Sequence, residues 1–146
     1  MDIREAQREE WPACAEIYVR SGRAAFTWAD PEMFQADNLI AWAEQGETLY
    51  LALDGGRPVG MMSFWRPDNF IHNLFVAPEA QGRGVGAALL DFAYGIADGP
   101  VTLKCDLANA AALRFYARRG MTEIQRGVRP DSGPYVVFLQ PQYIAR

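Results

Sequence analysis

The sequence holds a single histidine, His72, and two cysteines, Cys14 and Cys105, in 146 residues. The cysteines lack C-x-x-C or C-x-x-H spacing, so neither a metal site nor a disulfide framework is expected. They read as two reduced thiols of a cytoplasmic protein. No apolar run approaches the roughly 20 residues that span a bilayer. Met1-Asp2-Ile3-Arg4-Glu5 carries no apolar stretch of a secretion signal. Basic runs are also missing and the net charge is −4. That argues against nucleic acid as a partner, and nothing points to a membrane. Repeats, low-complexity tracts and long linkers are absent, which leaves one domain over residues 1–146.

Half of the residues are apolar and 22% are charged, enough to bury a core and too apolar for disorder. The charge is unevenly spread. Residues 1–80 hold 6 Lys/Arg and 13 Asp/Glu, whereas residues 81–146 hold 8 and 5. This is either ordinary solvated surface or a division in which the second half meets an anion and the first a cation.

Periodicity and turn residues give the elements. Met1–Arg4 reads as a strand. Trp11–Ser21 reads as a helix with Pro12 in its first turn and an apolar stripe of Trp11, Cys14, Ala15 and Tyr18. Asp30 is expected to cap a second helix with Pro31 at its first position, ending at Gly46. Strands follow at Thr48–Leu53, Pro58–Trp65 and Phe70–Val76, the first two joined by Asp54-Gly55-Gly56. A helix from Gly84 to Ile96, a strand Val101–Cys105 and a helix capped by Asn109 and stopped at Gly120 come next. Two strands, Met121–Gln125 and Tyr135–Leu139, close the chain around a Gly/Pro loop. The order βααβββαβαββ describes an α/β protein, a mixed sheet with helices on both faces.

The segment from Asn73 to Leu90 is the most informative. A strand enters a turn containing Gly82, Gly84 and Gly86, and a helix leaves it. Glycine lets backbone approach a ligand, and the free N–H groups of a first helical turn favour phosphate. Arg83 adds a positive charge. Gly82, Gly84 and Ala87 satisfy the dinucleotide pattern G-x-G-x-x-A. That pattern follows its strand almost at once, whereas Ala77–Gln81 intervenes here. Gln81, Gly84 and Gly86 satisfy Q-x-x-G-x-G, the pyrophosphate loop of coenzyme A. A helix start that needs glycine only for packing is the bland alternative.

Leu74-Phe75-Val76-x-Pro78-x-x-Gln81-Gly82-x-Gly84-x-Gly86 closely resembles motif A of the GCN5-related N-acetyltransferases, the GNAT family. Asn109-Ala-Ala-Ala-Leu-Arg-Phe115-Tyr116-Ala-Arg-Arg-Gly120-Met121 resembles their next signature, with Met121 where phenylalanine is usual. The resemblance implies a mixed, mostly antiparallel central sheet and an acetyl-coenzyme A-dependent N-acetyltransferase without a metal. It implies that Leu74, Phe75 and Val76 pair with the pantetheine arm and that Gln81, Gly82, Arg83, Gly84, Val85 and Gly86 hold the pyrophosphate. Asn109 and Phe115 would also meet the cofactor.

Acetyl transfer to an amine requires an oriented thioester, a neutral amine, an oxyanion donor and a proton for the leaving thiolate. By match to the family's tyrosine, Tyr116 is the expected general acid; a core tyrosine beside Phe115 is the other reading. His72 is the candidate base, since histidine ordinarily titrates near 6.5. A structural strand histidine is the other reading, and a water chain would replace it. Asn73 is expected on the opposite face of the strand, with Asp68 and Asp106 as weaker candidates for the base. The acceptor site is expected at residues 22–30 and 126–135. There Phe26 and Trp28 would stack on an amine, and Asp30 or Glu32 would pair its ammonium. The acceptor is expected to be a small-molecule amine and the protein a monomer or a homodimer. A protein N-terminus or lysine, and a non-catalytic coenzyme A sensor, are the alternatives.

Overall fold

The computed structural model describes residues 1–141. Its elements are β1 (Asp2–Glu5), α1 (Trp11–Ala25), α2 (Ala36–Glu44), β2 (Thr48–Asp54), β3 (Arg57–Trp65), β4 (Phe70–Val76), α3 (Val85–Ile96), β5 (Thr102–Asp106), α4 (Ala110–Arg118), β6 (Thr122–Arg129) and β7 (Gly133–Leu139). The strands form one sheet in the order β1-β2-β3-β4-β5-β7-β6. Among the described residues β4 and β5 make the single parallel pair, and the other neighbours are antiparallel.

Both faces of the sheet are covered, as alternation along β2 already requires. Leu49 and Leu51 join Cys14, Ile17, Tyr18, Leu39 and Met61 beneath α1 and α2. Tyr50 and Ala52 join Met62, Phe64, Leu89, Leu90 and Ala93 beneath α3 on the other side. The β2–β3 turn works because Gly55 and Gly56 take φ of 57° and 81°, the left-handed pair that a two-residue hairpin needs. Gly60 on β3 sets how closely α3 sits. A Cβ there would lie 2.8 Å from Val85 Cγ1 and 3.1 Å from Leu89 Cδ1.

Three expectations about elements are corrected. The first helix runs on to Ala25 rather than ending at Ser21, because Ser21 and Gly22 are buried and the side of Gly22 is covered by the Phe34 ring. The second helix does not start at Pro31. Asp30 caps a single 3-10 turn over Pro31–Met33, the chain then extends so that Phe34 reaches Gly22, and α2 begins at Ala36. The last two strands pair up to Arg129↔Gly133, so most of the expected 126–135 loop is strand and the turn is short.

Candidate active site

The site arises from an irregularity in β4. Ser63 on β3 pairs with Asn73, but its neighbour Phe64 pairs with Ile71, so His72 is an extra residue without a β3 partner. A bulge of this kind bends the strand and shifts its alternation by one. The shift shows in the packing. Ile71, Leu74 and Val76 all lie against the α3 side despite the odd step from 71 to 74, while Phe75 lies on the α1 side. Asn73 therefore does not face away from His72 as simple alternation predicts; both border one cavity. Pairing between β4 and β5 covers only Phe70↔Thr102 and Ile71↔Leu103. Beyond the bulge the two strands splay, and β4 keeps a backbone edge that β5 does not use.

The cavity beside this splay has a volume of about 300 Å³. Tyr18, Phe26, Phe34, Trp42 and Phe75 give it an apolar wall, and His72, Lys104, Cys105, Asp106, Tyr116 and Arg129 bring chemistry to it. His72 Nδ1 lies 2.9 and 3.0 Å from the two carboxylate oxygens of Glu47. A carboxylate only accepts, so Nδ1 carries the proton and Nε2 is left as the acceptor of the neutral ring. Trp42 packs on the imidazole at 4.4 Å between centroids and fixes its plane. Glu47 is a partner of His72 that the sequence did not reveal. It lies 25 residues from His72, and only the pairing of β2, β3 and β4 brings the two together.

Tyr116 on α4 is 9% exposed and packs edge-on to Phe115 at 5.2 Å. Burial above all, then the neighbouring Cys105 and Tyr94, pushes its phenol well above the ordinary range, so it keeps its proton. Burial likewise pushes the Cys105 thiol up to about 12, which leaves no thiolate nucleophile in the cavity wall. Asp106 is committed elsewhere: Trp28 Nε1 donates to it at 3.2 Å and Arg129 Nε stands 3.6 Å away. Asp68 is exposed in the turn before β4.

The glycine turn fits an anion. Gly82 and Gly84 have φ of 81° and 83°, and a Cβ on either would meet nothing within 4 Å. These glycines serve backbone conformation and leave open space. Ala88 N donates to Gly84 O at 3.0 Å, so the N–H groups of Val85, Gly86 and Ala87 precede the first helical bond. Gln81 and Arg83 are exposed, and Arg83 stands 3.9 Å from Asp54 in an open ion pair. A Cβ on Gly86 would lie 3.5 Å from Phe115 Cζ, an ordinary van der Waals contact, so packing alone does not require glycine there. The Val85 side chain is buried in the core and offers only its amide. Asn109 Oδ1 accepts from Ala112 N at 3.1 Å, and Asn109 also borders the cavity. Ser21 Oγ donates to the Val76 carbonyl at 3.0 Å, so part of the β4 edge is already engaged.

Of the expected acceptor residues, Phe26 lines the cavity. Trp28 stacks on Phe26 at 4.8 Å and turns its N–H to Asp106. Asp30 is exposed and accepts from Glu32 N at 2.9 Å, a local cap. No group of three or more possible metal ligands occurs among the described residues, and no helix there is long and apolar enough to cross a membrane.

Residues 2–121 match the family model described as the Acetyltransferase (GNAT) family. The chain is 36% identical over 102 residues to the L-amino acid N-acyltransferase MnaT of Escherichia coli, covering 62% of this chain and 59% of that protein. It is 30% identical over 124 residues to the peptidyl-lysine N-acetyltransferase YiaC of the same organism, covering 81% of each. The structure of yncA from Salmonella typhimurium with its cofactor acetyl-CoA superposes with a TM-score of 0.70 at 24% identity, over 100% of this chain and 96% of that one. With the splayed sheet, the glycine turn and a family match over most of its length, the chain belongs to the GNAT family of acetyltransferases.

Proposed function

We propose that this N-acetyltransferase moves the acetyl group of acetyl-coenzyme A to the primary amine of a small molecule, with His72 as base and Tyr116 as acid. The observation that carries this reading is one cavity of about 300 Å³ bordered by both residues. Bound at the splay, acetyl-coenzyme A supplies an activated thioester. The glycine turn, from Gln81 through the amides of Val85 and Gly86, would hold the pyrophosphate and Arg83 would add charge. The open edge of β4 at Leu74, Phe75 and Val76 would orient the pantetheine arm, with Asn109 and Phe115 on its other side.

Nε2 of His72 accepts a proton from the amine, directly or through one water, while Glu47 holds Nδ1–H and steadies the charged ring. The Tyr116 hydroxyl, kept protonated by burial, gives its proton to the departing sulfur. Cys105, held as a thiol, favours direct transfer over an acyl-enzyme. A non-catalytic sensor has no use for two such proton-handling groups. The likeness to a peptidyl-lysine acetyltransferase favours a protein lysine as the second reading. The test offers purified protein acetyl-coenzyme A with a panel of small amines and of lysine-containing peptides, reading acetylated products by mass. Acetylation of small amines is expected; turnover of peptides alone would overturn the small-molecule acceptor.

A further inference from the structure

The side of the sheet that carries the cavity is only partly roofed. Lys104, Asp106, Tyr135 and Arg129 share that face on β5, β7 and β6, as the pairs Asp106↔Tyr135 and Gly127↔Tyr135 require. Gly127 lets the Tyr135 ring lie flat across β6, since a Cβ there would collide with the ring. Two cations stand on that ring: Lys104 Nζ at 4.9 Å and the Arg129 guanidinium at 5.4 Å from its centroid. Lys104 Nζ is also 5.9 Å from the Phe70 ring, which stacks on His72 at 6.3 Å. Phe70 thus links the lysine to the base.

The charges differ in how they are answered. Glu47 is bonded to His72, and Asp106 stands against Arg129 and Trp28. Asp131, the remaining acid on the lining, is exposed in the turn between β6 and β7. Lys104 has no acidic partner among the described residues and is the single lysine of the chain. A lysine held over two rings at a cavity's edge, without a counter-ion, is arranged for an anion that arrives with the ligand.

We infer that the acceptor is an amine that carries a carboxylate, its acid group met by Lys104 with Arg129 beside it and its apolar body lying on the wall of Phe26, Phe34, Trp42 and Phe75. This rests on the small-amine reading and names its substrate class. An amino acid with an apolar side chain has the three required parts, and its primary amide lacks only the charge.

The test compares L-methionine and L-phenylalanine with their amides, in wild type and in Lys104→Met. Acetylation is followed with acetyl-coenzyme A, and binding by calorimetry with coenzyme A present. Both proteins meet the same amines, so the amines' own ionisation cancels in the ratio. Lys104→Met should raise KM and Kd for the acids roughly tenfold or more and leave the amides within about twofold. Lys104→Glu should reverse the acid-over-amide preference. An acid-to-amide ratio that is the same in wild type and Lys104→Met, or no measurable binding of either acid, overturns the carboxylate site. Binding of the acids that depends on Lys104, with no acetylation of any small amine, would uphold the carboxylate site and overturn the small-amine acetylation reading.

Discussion

The two walls of the cleft are built from different material. The wall proposed for the cofactor is one continuous stretch, β4–turn–α3, joined by β5 and α4, and it offers mostly backbone: an unpaired strand edge, left-handed glycines and free helix amides. The wall proposed for the acceptor is assembled from α1, α2, β4, β5 and β6 and offers side chains drawn from residues 18 to 132. Backbone recognition constrains glycines and spacing, whereas side-chain recognition constrains residues that are distant in sequence. Changes in the first wall should alter donor binding equally for every amine. Changes in the second should alter the choice among amines and spare the donor.

The largest effect is expected at Tyr116, where the two walls meet. Tyr116→Phe keeps the ring and deletes the proton, so kcat should fall roughly 10²–10⁴-fold with donor affinity nearly constant. The loss should shrink with an acetyl thioester of a more acidic thiol. Wild-type kcat under chemistry-limited conditions would make Tyr116 a packing residue.

His72→Gln should lower kcat/KM by roughly 10²-fold and remove the limb of the pH profile that rises with deprotonation of the base. Glu47→Gln keeps a hydrogen-bond partner but removes the charge behind the ring, so it should reproduce part of that loss. A profile unchanged in both variants would assign the limb to the amine itself.

Gly84→Asp puts a carboxylate beside the amides of α3 and should weaken acetyl-coenzyme A at least tenfold, about 1.4 kcal/mol. Gly84→Ala separates strain from charge. At φ 83° it should cost about 1–2 kcal/mol of stability, with less effect on the donor. If the two variants bind the donor equally, backbone strain and not phosphate repulsion explains the loss.

The smallest effect concerns the core that both walls share. Burial pushes the Cys14 thiol and the Tyr18 phenol up to about 12, as it does Cys105 and Tyr94. The folded state therefore holds these protons more tightly than the unfolded chain. Their stabilisation is complete below the unfolded values, near 8.5 for a thiol, and is lost as pH rises toward 12. Melting temperature should be flat across neutral pH and fall above about 8.5. Both thiols should resist alkylation at pH 8 until the protein is unfolded.

The wall proposed for the cofactor is legible because its determinants are local. Strand, glycine turn and helix follow one another within residues 70–96, and the capping Asn109 lies seven residues before Tyr116. The acceptor wall is not. Trp28 and Asp30 sit in the expected segment, but Trp28 spends its N–H on Asp106 and Asp30 spends its carboxylate on its own turn. Glu47 and Lys104 are not legible as site residues because a charge at the start of a strand, or in the middle of one, reads as solvated surface. Their roles depend on what the sheet places opposite them. The second helix starts later than its local signal for a similar reason: the need to bury Phe34 against Gly22 outweighs Asp30-Pro31.

The bulge at His72 gives β4 two reading frames. Before it, Phe70 faces the cleft and Ile71 the α3 core; after it, Phe75 faces the α1 side and Leu74 and Val76 the α3 core. Substitutions act within a frame and change one contact at a time. Loss of a single residue between Ile71 and Leu74 would remove the bulge and make that step even, so Phe70 would keep the cleft and Ile71 the α3 core, and the strand would lose only its extra residue. The extra residue is what seats an imidazole between Glu47 and Trp42, and a one-residue gap here spares the core while it empties that seat.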